Sequence, residues 1–196
     1  MTYDRVLRVF HWTMAVIVIA AMVLGTLAAF LVPGTPLRKA LLDVHKSLGL
    51  TAALLILPRT TYRLLSKAPR PIDDVGHLTR VGAAVAHAVL YALMFFMPVT
   101  GYMFSAAGGY SLPWFGLFQW PRMLDLNAVT ASLGEWLHDR GAWLTYAVVC
   151  LHIAAVGWHH FYRKDAVLSR MLGPRKPKDA LPQSVAPGVR RDPSPN

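Results

Sequence analysis

The chain has 196 residues, of which 55% are hydrophobic and only 15% are charged. A soluble domain usually carries about 25% charged residues, so this composition and the mean hydropathy of +0.39 exclude an ordinary soluble domain and indicate an integral membrane protein. The net charge of +10 does not indicate a nucleic-acid partner, because the basic residues lie between and after the apolar segments.

Four apolar segments are each long enough to cross a bilayer, which takes about 20 residues of helix. We expect transmembrane helices at approximately 9–32, 41–65, 80–104 and 136–162. These segments predict an all-α fold, an integral membrane four-helix bundle, in one domain that covers residues 1–173. Residues 174–196 are rich in Pro, Lys and Arg and are predicted to form a disordered, basic cytoplasmic tail.

The positions of Lys and Arg predict the orientation of the bundle. Fifteen of the 20 basic residues fall in the N-terminus, the second loop and the tail. The opposite side has five, namely Arg38, Lys39, Lys46, Arg122 and Arg140. Because basic residues accumulate on the cytoplasmic side, both termini are predicted to be cytoplasmic.

The fourth apolar segment contains four histidines: His138, His152, His159 and His160. An ionisable residue inside a membrane helix is costly, and it therefore suggests a functional site. His138 and His152 are 14 residues apart, which on a helix is about 40° around the axis and about 21 Å along it. Both side chains can therefore face one interior, one near each side of the membrane.

Two further histidines lie at matching depths. His45, near the outer start of the second helix, can pair with His138, and His11, at the inner start of the first helix, can pair with an inner histidine of the fourth. Neutral imidazole is a good axial ligand for heme iron, and two imidazoles on one iron suit electron transfer. The constellation predicts two hemes inside the bundle, whereas the dispersion of the histidines argues against a zinc site.

Several sequence segments resemble the bacterial cytochrome b561 family over residues 3–173: RVFHW, DVHKSLG, and EWLHDRGAWLTYAVVCLH followed by HHFYRKDAVLSRM. The resemblance implies a four-helix protein of the bacterial cell inner membrane with two b-type hemes. It implies that His45 and His138 ligate the iron of the outer heme, and that His11 and His152 ligate the iron of the inner heme. It also implies ubiquinone as a bound substrate.

The second ligand of the inner heme has an alternative. Depth alone pairs His11 with His159, but His138 and His159 are 21 residues apart, about 31 Å on a helix and too far for two hemes in the hydrocarbon core. We therefore prefer His152. His159 shares the heme-facing side and is the candidate quinone contact, whereas His87 is expected to pack beside the site and His160 to lie at the interface.

The resemblance implies electron transfer between an outer-face donor, with superoxide as one candidate, and ubiquinone, and hence a superoxide:ubiquinone oxidoreductase. The five basic residues on the outer side can attract an anionic donor, although each alone is equally well explained as a solvated loop charge. The alternative is a non-catalytic cytochrome b membrane-anchor subunit of a larger dehydrogenase or hydrogenase complex. Under either interpretation the chain contacts membrane lipid.

Overall fold

The computed structural model describes residues 2–66 and 76–173. It contains four long helices: α1 (Arg5–Ala29), α2 (Pro36–Leu65), α3 (His77–Ala107) and α4 (Ala128–Trp158). A π-helical turn (His159–Arg163) continues α4, and a short helix, α5 (Val167–Leu172), follows. All four long helices are long and apolar enough to cross a membrane. The predicted all-α membrane bundle is confirmed.

Each long helix begins earlier than its apolar segment, and in α1, α2 and α4 a polar side chain before the segment caps the helix, whereas Gly76 at the start of α3 makes no side-chain cap. Asp4 accepts hydrogen bonds from two backbone N–H groups in the first turn of α1. Thr35 caps α2, whose first residue is Pro36, and Asn127 caps α4. Asp, Thr and Asn stabilise the start of a helix by accepting hydrogen bonds from its first backbone N–H groups, which have no partner within the helix. Proline stabilises it by fixing the backbone dihedral angle φ. The helices therefore extend beyond the stretch that hydropathy alone marks.

The long helices associate as two antiparallel hairpins. Helix α1 packs along α2, and α3 packs along α4, while α2 and α3 touch over a smaller area. Inside the first hairpin, Met14 and Ile56 are almost fully buried and pack with Ala52. Because the hairpins meet over so little area, a space remains between them, as in other bundles that hold a cofactor.

The loop between α3 and α4 folds onto the start of α2, at the end of the bundle that the predicted orientation places outside and that we call the outer end. Its two short strands, β1 (Pro113–Trp114) and β2 (Phe118–Gln119), pair antiparallel. The hydroxyl of Ser47 accepts from the backbone N–H of Phe115 at 2.9 Å, and the indole N–H of Trp114 donates to Thr51 at 3.1 Å. The loop is thereby fixed close to His45, two residues before Ser47 in the chain.

Helix α5 is fastened to the start of α1 at the inner end. The guanidinium of Arg8 donates to the carbonyl of Leu172 at 2.9 Å, and the indole N–H of Trp12 donates to the carbonyl of Met171 at 3.2 Å. The chain that follows α4 therefore folds back over the inner opening of the bundle. The predicted tail at 174–196 lies outside the described residues.

The outward faces of the helices are apolar and exposed. Large side chains on every long helix point away from the bundle, among them Val16, Leu54, Val85 and Leu144. An exposed apolar surface of this extent would be unfavourable in water, whereas in a bilayer it contacts lipid tails.

Candidate functional site

A cavity of about 2400 Å³ lies between the two hairpins and reaches from the outer loop to α5. Six histidines line it: His11, His45, His87, His138, His152 and His159. Pockets for small molecules usually measure about 300–1,000 Å³. The cavity is therefore large enough for more than one cofactor.

At the outer end, His45 and His138 face each other across the gap between the hairpins. Their ring centroids are 6.0 Å apart and the rings are nearly perpendicular, at 88°. An imidazole nitrogen binds a metal such as zinc at about 2 Å, so two imidazoles that share one metal have centroids about 6 Å apart. The outer pair has the spacing of two ligands on one ion.

Both outer imidazoles are oriented by backbone carbonyls of the neighbouring helices. Nδ1 of His45 lies 2.8 Å from the carbonyl oxygen of Ala21, and Nδ1 of His138 lies 3.0 Å from that of Met97. A carbonyl only accepts, so Nδ1 carries the proton and Nε2 keeps its lone pair. Such a bond fixes ring orientation and makes the other nitrogen a better metal ligand.

Two glycines give these rings the space they occupy. Gly25 and Gly101 each lie one helical turn after the carbonyl that holds the ring. A Cβ atom at Gly25 would be 3.0 Å from Cε1 of His45, and a Cβ atom at Gly101 would be 3.0 Å from Cε1 of His138. A Cβ atom at either position would therefore require the neighbouring ring to shift by a few tenths of an ångström, and a branched side chain would require more.

At the inner end, His152 lies between two other histidines. Its ring centroid is 6.4 Å from that of His11 and 5.5 Å from that of His87. His11 belongs to the opposite hairpin, whereas His87 comes from α3, in the same hairpin as His152. A cofactor held between the hairpins would take one histidine from each of them, so the pair formed across the gap fits better. His87 packs beside the pair.

A half-buried arginine, Arg59, lies beside the inner pair. Arg59 donates to the carbonyl of Phe10 at 3.2 Å, and its Nη2 lies 3.5 Å from Nδ1 of His11. Its guanidinium also stacks over the ring of Tyr91, at 5.4 Å. Its Nε is buried and, among the described residues, has no hydrogen-bond partner.

Arg59 and Arg63, which are counted with the second loop in the tally of basic residues, lie within α2. This helix ends at Leu65, as does the predicted helix at 41–65.

His159 is brought to the inner end of the cavity by the π-helical turn. Its Nδ1 is 2.5 Å from Oδ2 of Asp165. Burial would raise the pKa of Asp165, but hydrogen bonds from His159 and the Val167 amide, with the nearby Arg163, outweigh it and lower the pKa below its usual range. Asp165 is therefore a carboxylate at neutral pH. His160 is exposed, as expected for an interfacial residue.

The outer mouth is not a positive funnel. Of the five outer basic residues, three line the cavity, namely Arg38, Lys39 and Lys46, and three acidic residues line it too, namely Asp43, Glu135 and Asp139. Lys39 also pairs with Asp43 at 2.6 Å. The expectation that basic residues draw an anionic donor inward therefore finds no support in this arrangement.

The residues fit a b-type heme at each end of the cavity. Each histidine pair bridges the hairpins at the spacing of two ligands, and the buried Nε of Arg59 is a donor that a heme propionate could satisfy. In the part of the chain that is described, no three His, Cys, Asp or Glu side chains gather as a metal-binding group. The outer end thus holds two facing histidines, and the inner end holds the His11–His152 pair with His87 beside it.

The chain is similar to proteins of one known family over most of its length. The family model described as prokaryotic cytochrome b561 matches residues 2–174. Cytochrome b561 homolog 2 of Escherichia coli (strain K12) is 31% identical over 171 residues, which are 87% of this chain and 91% of the relative. Cytochrome b561 homolog 1 of the same organism is 22% identical over 166 residues, 85% of this chain and 94% of the relative.

A third relative bears a more specific name. It is the probable superoxide oxidase CybB of Yersinia pestis, 29% identical over 133 residues, which are 68% of this chain and 74% of the relative. The match to the family model extends over nearly all of the chain and includes every histidine that lines the cavity. The chain therefore belongs to the prokaryotic cytochrome b561 family, and it is a bacterial membrane electron-transfer protein of the kind that binds b-type heme.

Proposed function

We propose that the protein carries electrons across the bacterial inner membrane through two b-type hemes and delivers them to ubiquinone on the cytoplasmic side. His45 and His138 hold the outer heme, and His11 and His152 hold the inner one. The observation that carries the proposal is the presence of two histidine pairs in one cavity, each pair formed across the gap between the hairpins. When bound, the hemes supply the one-electron carriers.

The protein scaffold sets the relation between the two pairs. His138 and His152 are 14 residues apart on one continuous helix, which separates the two levels by about 21 Å. With two histidines held at each heme, the arrangement would suit electron transfer rather than oxygen binding. The carbonyls of Ala21 and Met97 hold the outer rings in place, so little reorganisation accompanies a change of charge.

The proposed quinone site lies at His159. The residue lines the inner end of the cavity, and its Nδ1 is engaged with Asp165, which leaves Nε2 for a ligand. A quinone headgroup has two carbonyl oxygens that take up protons when it is reduced. An imidazole beside the inner histidine pair and close to the cytoplasmic surface can contact one of these oxygens and exchange a proton with it.

The proposed donor at the outer face is superoxide, on the grounds that one relative is named a probable superoxide oxidase. Two superoxide anions give up one electron each and leave as dioxygen. One ubiquinone takes up both electrons and two protons and leaves as ubiquinol. The protein would then be an oxidoreductase in its own right and not an anchor subunit.

The test uses the purified full-length protein. We expect a b-type reduced-minus-oxidised spectrum with two hemes per chain by pyridine hemochrome, and superoxide-dependent reduction of ubiquinone-1 under steady superoxide generation. One heme per chain, or none, would contradict the two-heme assignment. Two hemes without superoxide-driven quinone reduction, together with a stoichiometric iron–sulfur protein in the preparation, would support the anchor-subunit alternative instead.

The orientation is tested separately. Fusion of the C-terminus to a reporter that is active only outside the cytoplasm should give an inactive fusion in intact cells. A cytoplasm-active reporter at the same position should be active. The reverse result would place the His45–His138 pair on the cytoplasmic side and would overturn the proposed direction of electron transfer.

A further inference from the structure

His159 and Asp165 are joined by two hydrogen bonds at the point where α4 ends. The first is the 2.5 Å contact between Nδ1 and the carboxylate, in which the two side chains are only 13% and 16% exposed. The second runs from the backbone N–H of Asp165 to the carbonyl of His159, at 3.1 Å. The same two residues are thus linked through both side chain and backbone.

The local backbone is what makes this pairing possible. In a continuous α-helix, a residue six positions later lies about 120° away around the axis and about 9 Å further along it. Here the π-helical turn ends the helix, and Lys164 adopts φ +53°, in the left-handed region that side-chain-bearing residues seldom occupy. The chain reverses there and returns the carboxylate of Asp165 to His159. Unusual backbone of this kind often accompanies a functional residue.

We propose that Asp165 is a positioning residue for quinone reduction, which holds His159 with Nδ1 protonated and Nε2 presented to the cavity. The inference rests on the proposed function, in which His159 contacts the quinone. The carboxylate only accepts, so the proton of a neutral His159 must be on Nδ1. Without Asp165 the ring could rotate or take the other tautomer, and Nε2 would then no longer be a free acceptor.

The chemistry that this arrangement allows is a proton relay from the cytoplasm. Nε2 takes a proton from cytoplasmic water, and the carboxylate of Asp165 stabilises the resulting imidazolium. Nε2 then gives the proton to a quinone carbonyl oxygen, and His159 returns to its neutral form. Over the whole reaction one quinone gains two electrons, which originate from the outer one-electron donor, and two protons from cytoplasmic water, and leaves as quinol.

The other contacts of Asp165 determine which variant is informative. Oδ1 accepts from the backbone N–H of Val167 at 3.1 Å, and the Nε of Arg163 lies 3.8 Å from Oδ2. In Asp165→Asn the side-chain oxygen can still accept from Val167, so the start of α5 is preserved. The amide N–H₂ would face His159 and donate to Nδ1, which moves the ring proton to Nε2.

The kinetic test measures reoxidation of the pre-reduced holoprotein by ubiquinone-1 in a stopped-flow instrument. Partners that orient a functional histidine typically contribute about 10–100-fold, so we expect Asp165→Asn to slow quinone-dependent reoxidation about tenfold or more. Heme content, the reduced spectrum and the rate of reduction by the outer donor should match those of the parent protein. Asp125→Asn, the same change in the exposed outer loop, is the control and should be unaffected.

A spectroscopic readout tests the orientation directly and does not depend on activity. In protein labelled with ¹⁵N-histidine, the signals lost in His159→Gln identify His159, and they should show the Nδ1–H form in the parent protein and the Nε2–H form in Asp165→Asn. An Nε2–H form in the parent would overturn the inference. The inference would also be overturned if quinone-dependent reoxidation were slow in His159→Gln but unchanged in Asp165→Asn. A normal rate of reoxidation in His159→Gln would instead overturn the proposed quinone site itself.

Discussion

Gly101 lies directly against the imidazole of His138, so that a Cβ atom at residue 101 would come within 3.0 Å of Cε1 of the ring. The same relationship holds between Gly25 and His45. Each outer histidine is thus held between a backbone carbonyl and a glycine one turn later on the neighbouring helix. The two hairpins present their outer histidines in the same way, which makes the outer pair symmetric in its local contacts.

Replacement of Gly101 by valine should therefore remove the outer heme. The branched side chain would displace the ring of His138 from the Met97 carbonyl and from its partner His45, whereas the inner pair lies on a different level of the bundle. We expect the heme content to fall from two to one per chain, measured by pyridine hemochrome on purified protein.

Gly157 provides the matched control for this substitution. It is also helical, but nothing lies within 4 Å of the position of its Cβ. Gly157→Val should keep both hemes and the parent spectrum. Full heme content in Gly101→Val would show that the ring of His138 is not fixed by this contact.

The sequence was sufficient to predict the bundle, because hydropathy is a local property of the chain, and histidine spacing predicted that His45 and His138 face each other, as the structure places them. It was insufficient for Gly25 and the two backbone carbonyls, since these act from a neighbouring helix and carry no distinctive side chain. The interhelical contacts that orient His45 and His138 appear only once the hairpins are assembled.

The inner ligand pair leads to a second prediction, in which two histidines compete for one role. His11→Ala and His152→Ala should each lose one heme, and the same spectral component should disappear in both. His87→Ala should retain two hemes, because His87 approaches from the same hairpin as His152 and cannot occupy the opposite axial position. If His87→Ala loses a heme and His11→Ala keeps both, His87 is the ligand of the inner heme and His11 is the residue that packs beside it.

The charge balance at the outer mouth gives a third prediction. Arg38, Lys39 and Lys46 line the cavity alongside three carboxylates, so the net field at the mouth is small. The rate of reaction with superoxide should change by no more than about twofold between about 20 and about 200 mM salt. A steep decrease with salt would show that basic residues outside the lining steer the donor.

The inner half of the site was harder to predict from the sequence than the outer half. In the sequence, Arg59 served only to indicate orientation, because basic residues accumulate on the cytoplasmic side of a membrane protein. Only the folded chain shows that its guanidinium reaches back to Phe10 and His11 on α1. Likewise, Asp165 follows an apparent helix end in the sequence, and only the π-helical turn brings it to His159.

The position of Arg59 leads to a fourth prediction, on the redox potential of the inner heme. A fixed positive charge stabilises the reduced form, which carries one positive charge fewer, so it raises the midpoint potential. At an effective dielectric constant of about 20, a unit charge about 10 Å away contributes about 1.7 kcal/mol, and solvent screening reduces this. Arg59→Gln should therefore lower one of the two midpoint potentials by an amount of the order of 50 mV.

The measurement is a spectroelectrochemical titration of the purified variant, after its heme content has been shown to be two per chain. Only the component that is lost in His11→Ala should shift, and Arg59→Lys, which keeps the charge, should stay close to the parent potential. Arg140→Gln is the control, because Arg140 is exposed and is not among the residues that line the cavity. If both potentials are unchanged in Arg59→Gln, the guanidinium serves only to join α2 to α1 through the carbonyl of Phe10 and does not tune the inner heme.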